Sequence, residues 1–196
     1  MTNPLYDAMF GRYENHSTPF LHLPDGSVLS HAAFLSMAAQ FAHVLTDAGL
    51  APGDRMAAQI EKSPEALALD AACVQSGVVF LPLNTAYTPD EVSYFVGNSG
   101  AGLFVCDGAS RAALEPVAAA AGARLEVLNA DGTGSLADLA ADQSTDFATV
   151  DRGPDDLAAM LYTSGTTGRS KGAMLSQKNL LSNAQVLAEV WRFSSD

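Results

Sequence analysis

Between Tyr162 and Gly172 the chain reads Tyr162-Thr163-Ser164-Gly165-Thr166-Thr167-Gly168-Arg169-Ser170-Lys171-Gly172, a run of glycines and hydroxyls with two cations near its end. Such residues suit a polyanion. Glycines let backbone N–H groups approach a phosphate closely and accept positive φ, Ser and Thr add hydroxyl donors, and a lysine adds a mobile charge. Apolar runs flank the segment, Leu157-Ala158-Ala159-Met160-Leu161-Tyr162 before it and Ala173-Met174-Leu175-Ser176 after it. The segment therefore reads as a phosphate-binding loop strung between two strands. A flexible connector shares its composition but has no need of Lys171 at a set distance from the glycines, nor of a strand at each end.

The nearest general phosphate motif is the P-loop, G-x-x-x-x-G-K-[ST], and it does not fit. With Gly165 and Lys171 aligned, Ser170 falls on the second glycine and Gly172 on the residue that would hold Mg²⁺. A strand-like run also follows where that motif needs a helix. A Walker-type nucleotidase is excluded.

The elements that position the loop follow from the rest of the chain. Leu5, Met9 and Phe10 fall at helical spacing over residues 4–13. Phe20-Leu21-His22-Leu23, the turn Pro24-Asp25-Gly26-Ser27 and Val28-Leu29 predict a hairpin. Ser30 caps a helix whose Phe34, Ala38, Phe41, Leu45 and Ala48 share one face, and Gly49 stops it.

From Pro52 onward the chain keeps a beat of turn, strand and helix. Strands are predicted at 55–60, 78–81, 103–106 and 125–128, with helices at 65–76, from Thr88 to about Asn98, and at 109–121. Ser63-Pro64 opens the first of these helices and Gly77 closes it, while Thr88 and Glu91 form a capping box for the second. Short, continuously apolar strands alternating with helices belong to parallel sheets covered on both faces. The fold class is α/β, a mainly parallel sheet flanked by helices, with the phosphate loop between two of its strands. Asp131-Gly132-Thr133-Gly134 is a second glycine-rich stretch, but it carries no cation and lies among acids, so it reads as a surface turn. Residues 142–156 are polar, and Ser176 caps a last helix bearing Leu180, Leu181, Ala184, Leu187 and Val190.

The 196 residues carry 10 Lys and Arg against 22 Asp and Glu, a net charge of -12. That field opposes nucleic acid as a partner. Arg169 and Lys171 together are a local exception suited to one small anion. No apolar run approaches the ~18 residues of a membrane span and no leader pattern opens the chain, so a cytoplasmic protein without a membrane partner is expected. Cys73 and Cys106 lie in separate apolar segments and read as buried thiols, while His16, His22, His31 and His43 form no cluster.

The loop resembles the signature of the adenylate-forming enzymes (acyl-CoA synthetases, luciferases and peptide-synthetase adenylation domains), Y-T-S-G-T-T-G-x-P-K-G, from which only Ser170 departs. Leu81-Pro82-Leu83-Asn84 and Ser176-x-x-Asn179-Leu180 are also similar to the N-terminal region of that family. The segments Pro82-Leu83-Asn84-Thr85-Ala86-Tyr87-Thr88 and Arg169-Ser170-Lys171-Gly172-Ala173-Met174-Leu175-Ser176 look most like malonyl-CoA and methylmalonyl-CoA synthetases. Gln177 stands where many members have histidine, and no role is carried to it.

The resemblance implies an acid–CoA ligase that joins a small carboxylic acid to ATP with Mg²⁺, releases pyrophosphate, and passes the acyl group to coenzyme A. It places the ATP phosphates on Thr163, Ser164, Gly165, Thr166, Thr167, Gly168 and Lys171. It also implies that residues 1–196 are the N-terminal part of the large AMP-binding domain, with no catalytic or metal-binding residue among them and the adenine, acyl and CoA pockets downstream. The chain alone is then expected to be inactive and, with apolar surface uncovered on its last helix, to self-associate as a dimer. An assembly or nucleotide-binding piece, a parent that adenylates a different carboxylic acid, and a phosphotransferase of another kind stand as alternatives.

Overall fold

The computed structural model of the chain describes residues 2–163 and 169–193. An N-terminal helix α1 (Pro4–Met9) and a 3₁₀ turn over Gly11–Tyr13 precede a hairpin of β1 (Pro19–His22) and β2 (Val28–Ser30). There follow α2 (His31–Asp47), β3 (Arg55–Gln59), α3 (Pro64–Ser76), β4 (Val79–Pro82), α4 (Pro89–Ser99), β5 (Leu103–Cys106), α5 (Arg111–Ala121) and β6 (Arg124–Val127). The chain continues through α6 (Ser135–Ala141), β7 (Leu157–Thr163), β8 (Lys171–Ser176) and α7 (Gln177–Val190).

Local chemistry sets most of the boundaries. Ser30 Oγ accepts from the Ala33 N–H and Ser63 Oγ from the Ala66 N–H, each satisfying a first-turn donor that the helix cannot pair internally. Thr88 and Glu91 form the expected reciprocal box, and Ser176 forms another with Asn179. Gly77, at φ 76°, closes α3 in the left-handed conformation that a glycine adopts without steric cost.

The main sheet has the order β6-β5-β3-β4-β7-β8. All neighbours run parallel except β7 and β8, which are antiparallel. Because successive side chains on a strand point to opposite faces, each central strand feeds two cores. Met56, Ala58, Leu103 and Val105 pack with α1, α2, α3 and α6 on one side. Ala57, Leu81, Phe104, Cys106 and Val127 pack with α4 and α5 on the other. The expected helix-covered parallel sheet is thus present, with an antiparallel strand added at one edge.

Several expectations shift in detail. The first helix ends at Met9 and gives way to the 3₁₀ turn. The Asp131–Gly134 stretch is a turn, as expected, with Asp131 Oδ1 accepting from the Thr133 N–H and hydroxyl. It leads into α6, a helix the sequence reading did not contain. The polar segment that follows has no regular structure, yet buried amides tie it down: Gln75 Nε2 donates to the Phe147 carbonyl and Asn3 Nδ2 to that of Val150. Cys73 and Cys106 are free, buried thiols.

Candidate phosphate-loop site

Strands β7 and β8 deliver the glycine-rich segment as the connection of an antiparallel hairpin. β7 lies beside β4 and runs parallel to it, so the connection emerges at the carboxyl end of the parallel strands, the end where open α/β sheets bind ligands. Within the hairpin Thr163 is opposite Lys171, Tyr162 opposite Gly172 and Leu161 opposite Ala173. The ladder brings Thr163 and Lys171, the first and last of the proposed phosphate ligands, face to face at the mouth of the loop. Ser164, Gly165, Thr166, Thr167 and Gly168 lie outside the described residues.

Thr163 and Lys171 are both exposed. Among the described residues no carboxylate is in ion-pair contact with Lys171, so its ammonium is available to an anion. The guanidinium of Arg169 lies 5.4 Å from the centroid of the Tyr94 ring, a cation–π contact that holds the second cation beside the loop.

The hairpin is tied to α4 on both sides of the loop. The Tyr162 hydroxyl donates to Asn98 Oδ1 at 2.6 Å, and the Tyr94 hydroxyl donates to the Ser170 carbonyl at 3.0 Å. Phe95 packs on the Tyr162 ring with centroids 4.5 Å apart. Desolvation, and secondarily the neighbouring Tyr94, raise the Tyr162 pKa, so its phenol stays protonated as a donor. Gly172 leaves space for this arrangement, since a Cβ there would stand 3.4 Å from Tyr162 Cζ and 3.3 Å from Met160 Sδ. The α4 contacts were not part of the sequence expectation.

Gln177 and the histidines, to which the sequence assigns no role, lie away from the loop or serve the fold. Gln177 is buried, and its Oε1 accepts from the Leu5 N–H at 3.1 Å, so it joins α7 to α1. His31 stacks on Tyr13 with centroids 4.4 Å apart, and His43 meets the Asp146 carbonyl at 2.8 Å. A cavity of about 400 Å³ lies beside β3 and β4, lined by Ile60, Phe80, Pro82, Leu83 and Asp70 among others. Burial raises the Asp70 carboxyl from 3.8 to about 6. Because the folded state holds that proton more tightly than the unfolded chain, Asp70 subtracts from stability as pH rises through that interval.

A model of the AMP-binding enzymes matches residues 12–196. The chain belongs to that family. Its fold superposes on the ATP-bound crystal structure of MatB from Rhodopseudomonas palustris with a TM-score of 0.94 and 48% identity, over 100% of this chain and 39% of that one. A feruloyl-CoA synthase of Amycolatopsis is 37% identical over 179 residues, 91% of this chain and 34% of the relative. An oxalate–CoA ligase of Arabidopsis thaliana is 30% identical over 209 residues, covering 96% of this chain and 38% of the relative. The chain thus spans well under half the length of these relatives. No helix among its described residues is long and apolar enough to cross a membrane.

Proposed function

We propose that these residues are the ATP-phosphate-holding part of a longer acid–CoA ligase. One observation carries the reading: within a chain of the AMP-binding family, Thr163 and Lys171 face each other at the mouth of a Gly/Ser/Thr loop, and the lysine is exposed. Ligase activity is supported by relatives named as acid–CoA ligases, and use of ATP by the ATP-bound neighbour.

In the proposed reaction a substrate carboxylate oxygen attacks the α-phosphorus of ATP. The bond to the bridging oxygen breaks, pyrophosphate leaves, and an acyl-adenylate remains. The thiol of coenzyme A then attacks the acyl carbon, loses its proton and displaces AMP. The first step needs no protein nucleophile. It needs the β- and γ-phosphates held still while negative charge grows on the leaving group. Backbone N–H groups and hydroxyls of Thr163, Ser164, Gly165, Thr166, Thr167 and Gly168 supply donors, and Lys171 supplies charge. Mg²⁺ bound with the phosphates would neutralise part of the same charge.

The substrate proposed is a short dicarboxylic acid, malonate or methylmalonate. Support comes from the wording of residues 82–88 and 169–176, from 48% identity to MatB and from similarity to the oxalate–CoA ligase. The 37% identity to feruloyl-CoA synthase favours a second reading, an aromatic monocarboxylate. Acyl-CoA formation by the full-length protein, measured with malonate, methylmalonate, oxalate, ferulate and palmitate, separates them. A preference of tenfold or more for malonate or methylmalonate is expected, and a preference for ferulate or palmitate replaces the dicarboxylate reading.

The 196-residue chain by itself is proposed to make no acyl-adenylate and to self-associate. Its edge strand exposes Met174, and the end of its last helix with the residues just after it exposes Val190, Trp191 and Phe193, the last at 71%. An open strand edge beside such residues invites pairing with a second copy, while the charge of -12 opposes open-ended growth. Light scattering is expected to give a dimer, and a monodisperse monomer at tens of micromolar contradicts that expectation.

A further inference from the structure

We propose that α4 is a bracket for the phosphate loop and that Tyr94 is its principal positioning residue. The proposal rests on the phosphate-binding reading of the loop and adds a residue distant from it in sequence. Tyr94 and Asn98 are four positions apart on α4 and so project from one face of the helix. That face meets the hairpin twice. Asn98 takes the hydroxyl of Tyr162 on the strand entering the loop, and Tyr94 takes the carbonyl of Ser170 on the segment leaving it. The same Tyr94 ring lies under the Arg169 guanidinium and 6.0 Å from the Tyr162 ring. One half-buried side chain thus holds a backbone carbonyl adjoining Lys171, a cation of the loop and an aromatic of the opposite strand.

The need for such a bracket lies at Lys171, which offers its charge to phosphate only in the fraction of molecules that hold it facing Thr163. Among the described residues the β7–β8 ladder ends at the pair Thr163 and Lys171, where β8 begins. Ser170 directly precedes β8, and its carbonyl accepts from the Tyr94 hydroxyl. Tyr94 makes no contact with substrate in this scheme. It raises the fraction of protein competent to take ATP.

The test uses the full-length protein, with MgATP as the probe, and compares Tyr94→Phe, Tyr94→Phe with Ser170→Pro, and Lys171→Ala. Phenylalanine keeps the ring contacts and removes only the hydroxyl. Tyr94→Phe is expected to raise KM and Kd for ATP roughly fivefold while kcat, the KM for the acid and the Tm stay near their starting values, as a smaller competent fraction requires. Proline at 170 restricts the same backbone segment from within, and no hydrogen bond from the Ser170 N–H is lost among the described residues. The double variant is expected to recover most of the ATP affinity. A residue that merely stabilised the fold would shift Tm and both substrates together, with no rescue by proline, and that pattern overturns the proposal. If Lys171→Ala weakens ATP use and Tyr94→Phe does not, the bracket fails while the phosphate reading stands. If neither changes it, the phosphate reading fails and the bracket with it.

Discussion

If Lys171 holds the phosphates of ATP as proposed, replacing it by alanine in the full-length protein is expected to lower the rate of adenylation by roughly tens-fold to several hundred-fold. A loss of about 2–4 kcal/mol is the scale found when one preorganised donor to a developing charge is removed. Lys171 begins β8, its side chain is exposed, and among the described residues it has no carboxylate partner. It therefore contributes little packing, and Tm should move by no more than a degree or two. The backbone pairing with Thr163 does not depend on the side chain, so the hairpin register survives. Pyrophosphate release measured beside a melting curve checks both halves. Unchanged turnover, or a loss that only follows a falling Tm, contradicts the assignment.

Gly134→Ala is expected to destabilise the chain by on the order of 3 kcal/mol, combining a strained backbone with overpacking. Gly134 has φ 128° and ψ 169°, a conformation almost confined to glycine. An added Cβ would also meet the carbonyl oxygen of Val127, and because that atom belongs to the backbone it cannot swing aside. Gly26→Ala is the control. Gly26 has φ 85° and nothing within 4 Å of its missing Cβ, so only the conformational cost applies, about 1 kcal/mol. Chemical denaturation of both variants is expected to place Gly134→Ala well below Gly26→Ala. Equal midpoints would mean that the Val127–Gly134 approach is not tight in solution.

Those two glycines mark where the sequence was readable and where it was not. Pro24-Asp25-Gly26-Ser27 announces its turn because Asp25 bonds the Ser27 N–H and hydroxyl locally. Local signals of that kind located nearly every element: Ser63-Pro64 and Gly77 at the ends of α3, the Thr88–Glu91 box on α4, and the unbroken apolar run Leu103–Cys106 of β5. Helix α6 lacked such a signal. Its cap is Gly134, which offers no side-chain acceptor, and it is only 7 residues long. Leu136 and Ala140, four apart and both buried, were the available clue. Strand order lay beyond local reading as well, because β5 pairs with β3 across an intervening β4 and its helices.

The candidate site divides in the same way. The phosphate-binding chemistry proposed for it is legible in residue types, since glycines, hydroxyls and a lysine at fixed spacing are local facts. Its support is not, because the Tyr94 hydroxyl and the Ser170 carbonyl are separated by 76 residues and meet only once the sheet has formed. Gln177 makes the same point from the other direction. The sequence assigns it no role, and folding gives it one that no local pattern shows: it is buried against Leu5, where its amide oxygen satisfies an N–H in the first turn of α1.

The most direct test of the phosphate-holding assignment is acid-dependent exchange of labelled pyrophosphate into ATP by the full-length protein. This reports formation and reversal of the acyl-adenylate without coenzyme A. Exchange that requires a carboxylic acid, is strongest with malonate or methylmalonate and collapses in Lys171→Ala is the predicted result. Exchange unaffected by Lys171→Ala, or ATP turnover that releases inorganic phosphate and ignores every acid offered, would contradict it.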